Sequence, residues 1–308
     1  MKRRIHILAL ASCLLCAHLL NGQVDSSYIE SMAEDIANAE LSLKMIQENY
    51  YIISSDMGGN IGVYVGEEGI SLVDNQWSAN VPRIKEMLRT ITEKPVTRVI
   101  DTHYHFDHTD GNKVLRKEGI PVIAHKNVLL RLSSDQILSP PFHILQKAHA
   151  TESLPAMTFE KSMRIYDSQE VIELVHYANA HTDGDVVVHF KNADIYHCGD
   201  IFVTYGLPYI DEQSGGDIYA MIEVVDHLIS VSGPKTKFIP GHGPLSTPED
   251  LKAYRDLLVS VRDQVVRCVS EGLSPEETIS KVEIDPEKVG ISKEHSISHM
   301  YRMVQKHN

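Results

Sequence analysis

His103-Tyr104-His105-Phe106-Asp107-His108 packs three imidazoles and a carboxylate into one short span. These are the ligand types that borderline divalent metals such as zinc prefer. Buried without partners, each of these groups would cost several kcal/mol in lost hydration. The preceding stretch Val96–Ile100 is β-branched and apolar and follows Pro95, so it reads as a strand. Asp110–Glu118 reads as a short helix ended by Gly119. The cluster is therefore expected on a strand-to-helix loop, where sites are commonly built.

Three further spots place ionisable side chains beside small residues at strand boundaries: His181-Thr182-Asp183-Gly184-Asp185, Cys198-Gly199-Asp200 and Pro240-Gly241-His242-Gly243-Pro244. Around them, Tyr50–Ser54, Asn60–Val65, Ile70–Val73, Val122–Ala124, Val171–His176, Val186–Phe190, Ile195–Cys198 and Lys237–Ile239 read as strands. Asn80–Thr92, Lys126–Leu132, Asp217–Ser230 and the chain from Pro248 to about Ser270 have helical spacing, with more helix from Pro275 and near the C-terminus. Residues 26–45 look helical, rich in Ala, Glu and Leu, and Ser133–Pro155 reads as a long loop holding Pro140-Pro141, of the kind that walls a substrate site. Two β-then-α halves predict two packed sheets with helices outside. In the tail, Leu251, Tyr254, Leu258, Val261, Val265 and Cys268 fall on one face, suited to packing on the domain's outer side and compatible with a homodimer contact.

The 308 residues are 43% hydrophobic with a net charge of −13, which describes a globular chain whose field repels nucleic acid. Lys2-Arg3-Arg4 followed by a mainly apolar run from Ile5 to Leu20 has the plan of a secretory signal peptide with cleavage near Gly22, too short for a stable membrane span. The expected location is periplasmic or secreted. Leu10-Ala11-Ser12-Cys13 also fits a lipoprotein box. Once Cys13 and Cys16 leave with the leader, Cys198 and Cys268 are too few for a disulfide framework and read as buried small apolar residues.

Taken in order, H-x-H-x-D-H, a later His, a Gly-Asp at a strand end and a final Gly-His resemble the metallo-β-lactamase-fold superfamily over roughly residues 45–245. That resemblance implies an α+β chain, an αββα sandwich with a C-terminal helical extension. The boundaries would be 1–22 signal peptide, 23–45 helical lead-in, 46–247 catalytic domain and 248–308 extension. It also implies two zinc ions per chain, with iron or manganese as alternatives. His103, His105 and His181 would hold the first metal; Asp107, His108 and His242 the second; Asp200 would bridge them. Two such metals about 3.5–4 Å apart generate hydroxide near neutral pH, and Asp107 would orient it and collect a proton.

Within the superfamily, the cysteine-bearing β-lactamases carry Cys at the position of Asp200 and Lys at that of Val203, so β-lactam hydrolysis is a secondary reading here. His105 differs from the Glu typical of the diiron flavoprotein branch, and the insertions and basic surfaces of the RNA-processing branches are missing. Gly58-Gly59-Asn60 and the 181–185 stretch resemble glyoxalase-II-like and periplasmic hydrolases. The leading expectation is a zinc-dependent hydrolase of an ester, thioester, lactone or amide bond in a small molecule. An iron-dependent persulfide dioxygenase is another reading. A non-enzymatic binder on a decayed scaffold is a third, disfavoured because every ligand position is filled.

Among the remaining histidines, His125, His143, His149, His176, His189 and His197 read as ordinary surface or core residues, with His125 and His143 the best of them for supporting roles. Asp183 and Asp185 read as turn residues or partners of His181, Asp110 and Asn112 as helix-start residues. Tyr104 and Phe106 are expected to pack or line the pocket, and Tyr205, Tyr209 and Asp211 to face it.

Overall fold

The computed structural model describes residues 28–138, 144–167 and 169–307. The expected leader, Cys13, Cys16, Pro140-Pro141 and His143 lie outside the described residues. No helix among the described residues is long and apolar enough to cross a membrane.

The first sheet has seven strands in the order β1-β2-β3-β4-β5-β6-β9. These are β1 Leu41–Gln47, β2 Tyr50–Ser55, β3 Ile61–Val65, β4 Ile70–Val73, β5 Val96–Ile100, β6 Val122–His125 and β9 Met157–Phe159. β1 to β4 form an antiparallel meander, and β4, β5, β6 and β9 run parallel. A small pair, β7 Gln136–Leu138 and β8 Ile144–Gln146, precedes β9. The second sheet orders β10 Ser162–Asp167, β11 Glu170–His176, β12 Val186–Phe190, β13 Ile195–His197 and β14 Lys237–Ile239; only its last pair is parallel.

Period-two alternation sorts the side chains into three layers of core. Ile52, Tyr64, Val73, Ile100 and Ile123 from the first sheet meet Ile172, Leu174, Val186, Val188 and Ile239 from the second. The opposite face of the first sheet (Ile53, Ile61, Val63, Leu72, Val99) is covered by Val81, Ile84 and Leu88 of helix α1, Val81–Arg89. The far face of the second (Val187, Tyr196, Phe238) meets α5 Ile218–Val231, α6 Pro248–Ser270 and α8 Lys293–His307. The architecture is therefore helix, sheet, sheet, helix: an α+β sandwich whose C-terminal helices pack on one outer face. On α6 the expected stripe, Leu251 through Cys268, is the buried one, and Thr247 with Asp250 closes a capping box at its start.

Several local expectations change. Among its described residues the lead-in is helical only at Tyr28–Ser31 and Ala33–Ala37; its end is edge strand β1, where Leu41, Leu43 and Tyr51 pack on the outer core of the first sheet and tertiary pairing overrides helix propensity. The stretch 133–155 is not structureless but contains β7 and β8, and Leu138 and Ile144 join Tyr104, Val128 and Leu132 in a small core. The helix expected at Asp110–Glu118 is shorter, α3 Asn112–Leu115, and a further turn, α2 Phe106–Thr109, precedes it, so Asp107 and His108 lie on a helical turn rather than in a loop. Between β6 and β7 runs α4, Lys126–Leu132, as its periodicity predicts. Cys198 and Cys268 are buried and unbonded.

Strand direction places the site. β4, β5, β13 and β14 end, and the antiparallel β12 begins, along one edge of the sandwich, where the segments 101–108, 181–185, 198–200 and 240–243 converge.

Candidate metal centre

Two groups of donors form at that edge. One nitrogen or oxygen from each of His103, His105, His181 and Asp200 lies within 4.8 Å of the others, as do those of Asp107, His108 and His242. In the first group His105 Nδ1 is 3.1 Å from His103 Nε2 and 3.0 Å from His181 Nε2, and Asp200 Oδ2 is 3.8 Å from His181 Nε2. In the second, His242 Nε2 is 3.3 Å from His108 Nε2 and 3.2 Å from Asp107 Oδ2. Asp200 stands between them, with Oδ1 3.3 Å from His108 and Oδ2 3.6 Å from His242. Donors about 2.0–2.1 Å from one tetrahedral cation sit about 3.3 Å apart, so the spacing suits a shared ion in each group.

Outer hydrogen bonds fix which nitrogens point inward. His181 Nδ1 donates to the Tyr209 carbonyl at 2.8 Å, and His105 Nε2 donates to Asp211 Oδ2 at 3.1 Å. Thr102 Oγ1 donates to Asp74 Oδ2 at 2.9 Å and so accepts from His103 Nδ1 at 3.0 Å. With those protons placed by the network, the three inward nitrogens of the first group all present lone pairs to one another. Lone pairs at about 3 Å repel unless a cation lies between them. Asp200 Oδ1 is also buried without a hydrogen bond. Imidazole and carboxylate donors in this arrangement fit a divalent metal ion.

Charge differs between the groups. Burial and the neighbouring imidazoles push His103 well down, and the same causes bring His181 down to about 4. Burial opposes charge on His108 and His242 too, but the carboxylates of Asp107 and Asp200 outweigh it, raising His108 well up and His242 to about 9. Burial would raise the Asp200 carboxyl, yet His242 and His108 hold it well below the usual range.

The backbone is held equally firmly. Asp185 Oδ2 accepts from His181 N at 2.6 Å and Thr182 N at 3.0 Å, which closes the His181 turn. Gly241 N donates to Gly199 O and Phe202 O, at 2.8 and 2.9 Å, joining the loops that carry Asp200 and His242. Asn60 Nδ2 donates to Pro240 O and Gly243 O, both at 2.8 Å, which explains the Gly58-Gly59-Asn60 stretch as a latch across the two sheets. A Cβ on Gly59 would stand 2.2 Å from His108 Cε1, and one on Gly241 would stand 1.9 Å from Asp200 Oδ1.

All seven residues expected as ligands thus come together. Asp74 is the one the sequence reading missed. It is fully buried, takes a left-handed φ of 63°, and accepts from Thr102 N at 2.7 Å and from His108 Nδ1 at 2.8 Å. Its signal was a carboxylate directly after the apolar strand β4, followed by Asn75 and Gln76, all of them buried. Asn75 and Asn112 donate to the buried Asp101, at 3.0 and 2.7 Å, so Asn112 is more than a helix start.

Contacts correct the expectation for Tyr209 and Asp211 and agree with the packing roles expected of the others. Asp211 and Tyr209 do not line a pocket: they lie buried behind His105 and His181. Tyr104 is buried as well, its hydroxyl 2.5 Å from Asp211 Oδ2, while Phe106 stacks on Trp77 at 5.1 Å. Asp183 pairs with Arg131 at 2.8 Å, and Asp110 accepts from Ser78 N at 2.8 Å. His125 stacks on His176 at 3.6 Å, His189 stacks on Tyr196, and His197 reaches the Asn60 carbonyl, while buried His149 reaches neither donor group. Burial pushes the Cys198 thiol up, away from thiolate chemistry. Val203 is fully buried.

The family described as the metallo-beta-lactamase superfamily has a model that matches residues 55–263. A linear primary-alkylsulfatase of a Pseudomonas species is 22% identical over 264 residues, 72% of this chain and 49% of that protein, so the chain spans about half the length of that relative. Among solved structures, the stereoselective inverting sec-alkylsulfatase Pisa1 from a Pseudomonas species superposes with a TM-score of 0.67 at 13% identity, over 85% of this chain and 50% of that one. A metallo-beta-lactamase from Pontibacter korlensis gives 0.59 at 18% identity, over 71% of this chain and 99% of its own. At such identities the structural likeness carries the fold alone. With the matched segment taking in all seven donors, the chain belongs to the metallo-beta-lactamase superfamily.

Proposed function

We propose that the chain is a dinuclear zinc-dependent hydrolase that cleaves an ester, thioester, lactone or amide bond of a small molecule. The observation that carries this reading is the convergence of five imidazoles and two carboxylates into two donor groups that adjoin at Asp200. His103, His105 and His181 would hold one ion, Asp107, His108 and His242 the other, with Asp200 between. Two divalent cations there would supply a water whose pKa falls toward about 7 and a Lewis acid for the oxygen that gains charge. Asp107 is the partly exposed carboxylate of the set, its side chain 20% accessible. It would orient the attacking water by accepting its hydrogen bond, take up the proton that water loses as its oxygen bonds to the carbonyl carbon, and pass it to the leaving group as that bond breaks. No Ser or Cys nucleophile is needed.

A second reading, sulfate-ester hydrolysis, is favoured by the linear primary-alkylsulfatase among the similar proteins. The β-lactamase reading has less support, because Val203 is buried and uncharged where an antibiotic's carboxylate would be gripped. A periplasmic or secreted location remains part of the proposal. The test is elemental analysis of the purified protein, then a panel of lactone, thioester, lactam and alkyl-sulfate substrates. The expected result is two zinc ions per chain and turnover abolished by chelation, with Asp107→Asn lowering kcat about 100-fold or more. Activity that survives both chelation and Asp107→Asn would sink the mechanism, and oxygen uptake on a persulfide with iron bound would replace it.

A further inference from the structure

We propose that Tyr205 is a catalytic residue: its phenol stands at the opening of the metal centre and donates a hydrogen bond to the substrate oxygen that gains negative charge. This rests on the hydrolase reading above and adds a residue to it. The ring of Tyr205 lies 6.1 Å from that of His242. Asp200 and Asp107 lie near enough to act on the tyrosine electrostatically.

Two features separate Tyr205 from a packing aromatic. It is 38% exposed, whereas Tyr104, Tyr209 and Tyr254 are 1%, 8% and 6% exposed. The backbone on both sides is also clamped. Thr204 N donates to His242 O at 3.1 Å, and Leu207 N donates to Lys288 O at 2.9 Å. Val203 bridges His242 and Gly206 bridges Val289. A partly exposed tyrosine held by a rigid backbone beside reacting groups is how preorganised charge stabilisation is built. The hydroxyl donates a hydrogen bond and keeps its proton, so no proton balance changes.

The test compares the metal-loaded wild type with Tyr205→Phe by metal content, steady-state kinetics on the best substrate of the panel, and calorimetric binding of inorganic phosphate as a tetrahedral oxyanion. Both proteins are expected to hold the same metal. Losing one such donor should lower kcat about 100-fold with KM little changed, and weaken phosphate binding about tenfold. An unchanged kcat, a loss confined to KM, or a fall in metal content that accounts for the lost rate overturns the assignment. If the wild type cleaves nothing on the panel, the hydrolase reading fails by itself. Phosphate then still decides for Tyr205: equal affinity in both proteins, or none in the wild type, refutes the donor.

Discussion

The two donor groups are built from neighbouring residues and differ in what fills them before a cation arrives. His103, His105 and His181 face one another as lone pairs, with burial driving His103 and His181 toward the neutral form. His108 and His242 face carboxylates and carry charge, which Asp107 and Asp200 compensate. The first group is an incomplete arrangement that a cation completes, while the second is already an ion-pair cluster in which a cation must displace protons. Burial alone does not make a metal site. The sign of the charge placed beside each imidazole decides how the metal competes.

The strongest way to break that contrast is to remove the space both groups depend on. Gly241→Ala would put a Cβ 1.9 Å from Asp200 Oδ1 and 2.7 Å from the Gly199 carbonyl carbon, backbone that cannot swing away. Loss of bound metal from both groups is expected, with overpacking costing about 1–3 kcal/mol of stability, read by elemental analysis and thermal melting. Gly59→Ala presses first on the His108 ring, 2.2 Å from Cε1. It should empty the second group and leave the first filled. A Gly59→Ala protein that lost both ions would show the groups to be one unit.

Next in size is pH. His242 is raised to about 9 and His108 well up by the nearby carboxylates, so below pH 9 the second ion must release at least one proton. Its affinity should therefore climb at least about tenfold per unit between pH 6.5 and 8.5. His181, down at about 4, is neutral throughout that window, and the first ion's affinity should change little. Zinc competition with a chelator at three pH values measures both slopes, and parallel slopes would remove the distinction. Asp74→Asn follows. It keeps the volume but deprives His108 Nδ1 and Thr102 of a charged acceptor, so the second ion should bind about 10–100-fold more weakly.

The same contrast explains what could be read from the sequence. His103 through His108 were legible because six adjacent residues carried four donors. His181, Asp200 and His242 were legible because each sits among glycines or small residues at a strand boundary. Strand direction then brings all of them to one edge. Asp74 was not legible: a lone carboxylate after β4 has the pattern of any strand end, and its partners lie 28 and 34 residues away. Asp211 and Tyr209 stood out as polar residues near a loop, but sequence does not say which side of His105 and His181 they occupy. Composition misled at Leu41–Gln47, which pairs with β2 as an edge strand despite its helical residues, and at β7 and β8, which are too short for periodicity to register.

The smallest expected effect belongs to Tyr104→Phe and falls on the first group alone. The Tyr104 hydroxyl donates to Asp211 Oδ2 at 2.5 Å and lies 2.9 Å from Ser214 Oγ. Phe keeps the ring, so no cavity opens among Val128, Leu132 and Leu138. Asp211 retains His105 Nε2 on Oδ2 and Ser214 N on Oδ1, so the carboxylate stays partnered and stays charged. The loss is then one hydrogen bond to a charged acceptor, about 1–2 kcal/mol of stability. An acceptor relieved of one donor pulls harder on the His105 proton, and the imidazole becomes a slightly stronger ligand. The first ion should therefore bind as well as in the wild type or a few-fold tighter while the melting temperature falls. A weaker first ion would mean that Tyr104 positions Asp211 rather than merely sharing it, and a shift in the second ion would couple the groups through β5.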